Sequence, residues 1–447
     1  MPRPIEYPER ARIQPGYWLR WGNLWAARRK LRRDGSNDWR YAFHNGRPPE
    51  PPDRVVPFRK LLGKGADGGF RFLIIGDTGE GDRSQYGLLP LIRALKPDFM
   101  IINGDVAYPA GRDEDYLKGF FQPYQDLGFP IWAVPGNHEY YSTHRGQEFF
   151  EIFCTEVRAA DWARHGLPLR PQPGTYWELN ETEAGIPLAV IGVDTGHSAN
   201  LDGKGAKQHA DSVQHQWLDD RLSRADRLVL PGSGGPGMPV IVLFHIPALS
   251  NQQHHKKKTH LRTVHRIIAS HPSVRLVMCG HEHNHQYYSP ARFGEYLERE
   301  YGVHPSGHDL PHYIVSGGGG AFLHGTKFGK HTYPAQEIFP TADQWSKYAG
   351  FLSKAAHRTG LAKGFIGRIA GWVNKAAQVD ADAAKYLSLI LVEVTKNSVK
   401  VIPACMENLQ DLFPGDGPPV RVDDPSQTVD TDALKKTLER CSSLELR

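Results

Sequence analysis

Short runs of consecutive apolar residues punctuate the chain at 72–75, 99–102, 131–134, 188–193, 240–244, 274–278 and 313–315, most of them bounded by Gly, Pro or Asp. Continuous apolarity, as opposed to alternation, fits strands that are covered on both faces, as in α/β proteins. Helical candidates lie between several runs, such as 86–95 and 211–224. The segments 387–394 and 399–403, joined at Lys396 and Asn397, read as a late hairpin returning to the core.

The polar clusters at the ends of the runs are as regular as the runs themselves. The first run ends in Gly76-Asp77-Thr78-Gly79, the second leads into Gly104-Asp105-Val106-Ala107-Tyr108, and the third into Gly136-Asn137-His138-Glu139. Phe244 is followed by His245, and Cys279 by Gly280-His281-Glu282-His283. Asp, Asn, Tyr and His bind hard or borderline metal ions through oxygen and nitrogen. Strand ends are where a rigid scaffold hands the chain to a functional loop. A metal-dependent enzyme is the expectation.

A chain of 447 residues suits one large domain with additions, and 40% apolar with 23% charged residues is the balance of a soluble globular protein. Cys154, Cys279, Cys405 and Cys441 are scattered without a CxxC pair, which argues against a disulfide framework or zinc knuckle and suits a reducing compartment. The start has no apolar run behind a basic end, and no stretch approaches the ~20 apolar residues of a membrane span. A soluble cytoplasmic protein is expected. The organisation reads as a basic, Trp- and Pro-rich extension (1–69), a catalytic core (70–330), a basic helical insertion (331–384), the hairpin completing the core (385–405) and a polar, loosely attached tail (406–447). There is no internal repeat and no specific nucleic-acid signal.

Together, Gly-Asp77-x-Gly, Gly-Asp105-x-x-Tyr108, Gly-Asn137-His138-Glu139, Val-x-x-His245 and Gly-His281-x-His283 resemble the calcineurin-like metallophosphoesterase superfamily, and most closely its purple-acid-phosphatase branch. The five blocks run in the family's order across 70–285. The resemblance implies an α/β fold of two packed mixed β-sheets flanked by helices, with a dinuclear centre where strand ends converge. It implies that Asp77, Tyr108 and His283 hold one ion and Asn137, His245 and His281 the other, with Asp105 bridging. His138 would face the substrate and stabilise charge or protonate the leaving group. Most members have a His where this chain has Gly79, and Tyr108 can supply that ligand. A phenolate suits a trivalent ion, so iron joins zinc, manganese or a second iron as a candidate metal. The implied reaction is hydrolysis of a small-molecule phosphate ester by a metal-bound hydroxide. A phosphomonoester is the first choice and a phosphodiester (nucleotide or lipid headgroup) the alternative. An inactive scaffold of the same fold is a remoter reading.

Other features have blander readings. Val193-Asp194-Thr195-Gly196 mimics the first cluster but has no slot in the pattern, and reads as a structural strand end. The GxGxxG match at 63–68 precedes a strand and opens no helix, so it reads as loop. Cys279 reads as a buried small hydrophobe. The basic stretch 254–260 either flanks the pocket and attracts anions or is a solvated loop; His324 either lines the pocket or sits beside a tight Gly turn. Two segments are basic and aromatic: Trp18, Trp21, Leu24 and Trp25 with the arginines up to Arg33, and Phe365 to Lys375. They suit peripheral membrane contact or packing on the core.

Overall fold

The computed structural model describes residues 54–339, 387–405, 429 and 431–446, apart from 64, 67, 79–80, 82, 142–145, 197–205, 230–236, 252–258, 305–308 and 322–334. Both basic aromatic segments, His324 and Gly79 lie outside the described residues.

Going along the chain, β1 (Val55–Val56) and α1 (Phe58–Leu62) precede β2 (Phe70–Ile75), α2 (Leu89–Leu95), β3 (Phe99–Asn103) and β4 (Ile131–Val134). Then come β5 (Trp177–Asn180), β6 (Ala189–Val193), α3 (Ala206–Arg227), β7 (Val240–Phe244), α4 (Thr259–Ala269) and β8 (Val274–Cys279). The chain continues through β9 (His285–Tyr288), α5 (Pro290–Tyr301), β10 (His312–Ser316) and β11 (Glu337–Phe339). It ends with β12 (Ser388–Val394), β13 (Val399–Cys405), α6 (Thr431–Arg440) and β14 (Leu444–Leu446). The strands make two mixed sheets, six-stranded in the order β14-β13-β12-β2-β3-β4 and eight-stranded in the order β1-β5-β6-β7-β8-β10-β9-β11.

The pleat explains why the apolar runs are continuous. In β2, Phe72 and Ile74 enter the layer between the sheets, while Leu73 and Ile75 face the helices outside, packing with Leu91 and Leu95 of α2. In β7, Ile241 and Leu243 point between the sheets, and Val240, Val242 and Phe244 pack with Leu218 and Leu222 of α3 and Leu261 and Val264 of α4. A side-chain period of two with an apolar layer on either side leaves no position for a polar residue until the strand ends.

Three expected boundaries shift. The extension expected over 1–69 already belongs to the core at its end, because Phe58 and Leu61 are buried and β1 pairs with β5. The insertion expected from 331 opens with β11, which pairs with β9. The tail expected to be loose closes the six-stranded sheet: β14 pairs with β13, and Leu434 and Leu438 of α6, one helical turn apart, pack on the core. Gly63, inside the GxGxxG match, ends α1 in a left-handed turn, so that match is a helix terminus.

A buried polar chain ties α4 to the eight-stranded sheet. Cys279 Sγ donates to Tyr313 Oη at 3.2 Å, and that hydroxyl lies 3.1 Å from His265 Nε2. His265 Nδ1–H donates to the Leu261 carbonyl at 2.7 Å. Burial lowers the His265 pKa to about 4 and pushes the Cys279 thiol well up, which suits a packing cysteine. Between an ordinary histidine pKa and 4, the unfolded chain takes up a proton that the native state refuses. Stability is therefore full above about pH 6.5 and falls as pH drops towards 4, by about 3 kcal/mol from this residue. His265→Gln should reduce that loss when denaturation midpoints at neutral and acid pH are compared. Parallel losses in wild type and variant would remove His265 as the source.

Candidate metal centre

β2, β3 and β4 are parallel, so their C-terminal ends open at one edge of their sheet; β6, β7 and β8 do the same in the other. The two edges meet. Asn103 Nδ2 donates to the Met278 carbonyl at 3.1 Å, and His245 Nδ1 lies 3.0 Å from the Asn103 carbonyl. A carbonyl only accepts, so Nδ1 carries the proton and Nε2 presents its lone pair. Gly104, at φ 85°, permits the approach, since a Cβ there would lie 2.3 Å from His245 Nδ1. The glycine run after β10 has a similar reason, because a Cβ on Gly317 would lie 2.6 Å from Asp77 Oδ2.

Asp77, Asp105 and His281 leave their strands with left-handed backbone, at φ 58°, 50° and 72°. Such conformations cost about 1 kcal/mol or more each outside glycine and gather where function holds them. The turn hands each carboxylate to two masters. The His281 backbone N–H donates to Asp77 Oδ2 at 2.7 Å, and the His138 backbone N–H to Asp105 Oδ1 at 2.8 Å. The other oxygen of each faces a cluster of ligand-type atoms.

That cluster has two overlapping halves. Asp77, Asp105 and His283 form one and Asp105, His245 and His281 the other, the candidate ligand atoms of each lying within 4.8 Å of one another. Tyr108 Oη joins the first, 3.1 Å from Asp77 Oδ1, 3.2 Å from Asp105 Oδ2 and 2.9 Å from His283 Nε2. Asn137 precedes His138, whose backbone N–H binds the shared carboxylate of Asp105. Its Nδ2 donates to Tyr141 Oη at 2.9 Å, leaving Oδ1 buried without a partner. His245 Nε2 is also buried without a hydrogen bond, although Asp105 Oδ2 lies only 3.1 Å away. Two orphaned lone-pair carriers beside a shared carboxylate fit a cation, and the N/O donor set suits a hard or borderline one.

The electrostatics agree. Burial raises the Asp105 carboxyl, but His245, His138 and His281 outweigh it and hold it well below the carboxylate range. Burial would lower His245; the Asp105 and Asp77 charges instead lift it to about 9, so without a metal Nε2 also carries a proton, which a bound cation would displace. His138 is lowered, first by burial, against the pull of Asp105. Its Nδ1 lies 2.6 Å from the Pro109 carbonyl, so Nδ1 carries the proton and Nε2 is turned to the cluster, 3.9 Å from Asp105 Oδ2.

Glu139 has no role that its place in the sequence could assign. Its Oε1 accepts the backbone N–H groups of Val106 (2.9 Å) and Ala107 (3.1 Å), and its Oε2 those of Asp105 (3.0 Å) and Gly136 (2.6 Å). Burial, and then the Asp105 charge, push its carboxyl up to about 8. Four donors nonetheless leave neither oxygen room for a proton, so the geometry selects the carboxylate. Nothing in its spacing separates a strut from a ligand. Asp194 is a strut too: Tyr140 Oη donates to its Oδ2 at 2.5 Å. Of the basic stretch 254–260 only its end is described, where His260 Nε2 lies 3.1 Å from the Asp194 carbonyl.

Residues 70–285 match the family model described as calcineurin-like phosphoesterase. No curated protein matches the chain. Among solved structures, it is similar to a purple acid phosphatase from yellow lupin (Lupinus luteus) seeds at 13% identity and a TM-score of 0.44, covering 76% of this chain and 52% of that one. A Plasmodium protein described as the anchor in the inner membrane complex is similar at 12% identity and TM-score 0.44, with 76% and 85% covered. A dimetal phosphatase from Danio rerio follows at 14% and 0.36, with 56% and 87% covered. The chain thus spans about half the length of the lupin enzyme.

Glu139→Gln replaces one of the two acceptor oxygens by an NH₂, setting a donor against two of the four N–H groups. It should cost about 3 kcal/mol, the upper end for a buried charged hydrogen-bonding group, measured by denaturant unfolding of metal-free protein. A variant as stable as wild type would show that the loops do not lean on this carboxylate.

Proposed function

We propose, from the premise that residues 70–285 form a calcineurin-like phosphoesterase domain, that this chain is a two-metal hydrolase of phosphoric esters, with phosphomonoesters as its preferred substrates. One observation supports this above the others. Asp105 Oδ2 lies 3.1 Å from His245 Nε2 and 3.2 Å from Tyr108 Oη, so one oxygen touches both halves of the cluster. Asp77, Tyr108 and His283 would hold one ion, Asn137, His245 and His281 the other, and Asp105 both. Two cations bound there supply the charge that polarises a phosphoryl group and acidifies a water. The remaining roles belong to the chain. His138 Nε2 faces the site while Pro109 holds Nδ1, so a proton on Nε2 is placed for the leaving oxygen. The backbone N–H groups of His138 and His281 keep the two carboxylates turned inward. The preference for monoesters rests on Tyr108, whose cluster resembles the purple-acid-phosphatase pattern.

Metal analysis with a monoester and a diester substrate tests the reading. Wild type should hold two ions per chain and hydrolyse the monoester faster. Asp105→Ala should lose both ions and fall to background. His138→Ala should keep the ions and lower kcat by roughly 10² to 10⁴, most for esters whose leaving group needs a proton. A wild type that binds metal yet hydrolyses neither ester would leave the inactive scaffold as the better account.

Tyr108 also bears on metal identity. Its phenolic oxygen is a hard anionic donor suited to iron(III), with zinc, manganese or iron(II) beside it. The purified protein should then show a broad visible charge-transfer band that Tyr108→Phe abolishes without unfolding. An active, colourless, iron-free protein would refute iron and leave the hydrolase standing.

A further inference from the structure

The turn Glu139–Tyr141 comes just after the candidate ligand Asn137, and its last residue lies outside every cluster that marks the site in sequence. Tyr141 is 5% exposed, packed against Ala110. Its hydroxyl accepts Asn137 Nδ2–H at 2.9 Å, and its ring lies 4.8 Å from the His138 ring at 60°. The Tyr108 ring also packs on His138, at 4.3 Å.

A carboxamide is nearly symmetric in shape, and reversing it exchanges O for NH₂. Only the oxygen can face a cation. With Nδ2 on the Tyr141 hydroxyl, Oδ1 is the atom left buried and unpaired. In the reverse orientation the same buried position would hold N–H donors, which cannot ligate a cation. We propose that Tyr141 is a positioning residue that fixes the Asn137 amide with its oxygen towards the second ion, an assignment that rests on the two-metal reading above. The ring, in contact with His138, has a separate use that a phenylalanine would keep.

The test uses the full chain stripped of metal and titrated with zinc by calorimetry. Wild type should bind two ions. Tyr141→Phe, which removes one oxygen, should weaken one of the two by about 10- to 100-fold, the usual effect of losing a partner that orients a ligand, and leave the other unchanged. At saturating zinc its kcat should return to the wild-type value, because the ring against His138 remains. Asn137→Ala should weaken the same ion, and the double variant Asn137→Ala/Tyr141→Phe should bind it no more weakly than Asn137→Ala alone, since Tyr141 acts through Asn137. Two cases overturn the assignment: a Tyr141→Phe protein that binds both ions as wild type does, or a double variant whose losses add. A wild type that takes up no zinc would instead sink the two-metal reading itself, and Tyr141's role with it.

Discussion

Buried carboxylates are the constraint that everything near the site answers to. Asp77 and Asp105 are almost wholly withdrawn from solvent, and an unpaired charge there would be prohibitively costly. Each is stabilised on one side by a backbone N–H supplied by another ligand loop: His281, after β8, serves Asp77, and His138, after β4, serves Asp105. The loops that present ligands therefore also hold one another's ligands. Convergence of the two sheet edges is the condition for this exchange, and close contacts such as Gly104 against His245 make it possible.

One short turn extends the same logic. Glu139, Tyr140 and Tyr141 are consecutive, and each grips a different element. Glu139 takes the N–H groups of the loops after β3 and β4, Tyr140 reaches Asp194 after β6, and Tyr141 takes the Asn137 amide. A turn of this tightness points successive side chains in different directions, which lets three neighbours serve three loops.

Much of this was legible in the sequence because a parallel strand covered on both faces has nowhere to put Asp, Asn or His except at its end. The seven candidate ligands stand at or just after such ends, and the eye finds them there. Struts are harder to read. Glu139 is as polar and as near the site as any ligand, and only its four N–H partners distinguish it. Short edge elements were also illegible: β1 and β11 are too brief to show a period, and α6 hides two core contacts, Leu434 and Leu438, among lysines and acids.

The pairing of β2 with β12 also has a consequence for how the molecule is made. β2 leads directly into Asp77 and is synthesised early, but one of its edges is covered only by residues 388–394. The stretch that matches the family model ends at 285, before that strand and before β10, which flanks β8. At ribosomal rates of roughly 5–20 residues per second, the edge of β2 stays open for on the order of tens of seconds. An open edge rich in Phe, Leu and Ile is a template for pairing with other chains. The nascent chain thus carries an unfinished sheet until residues 388–394 have emerged.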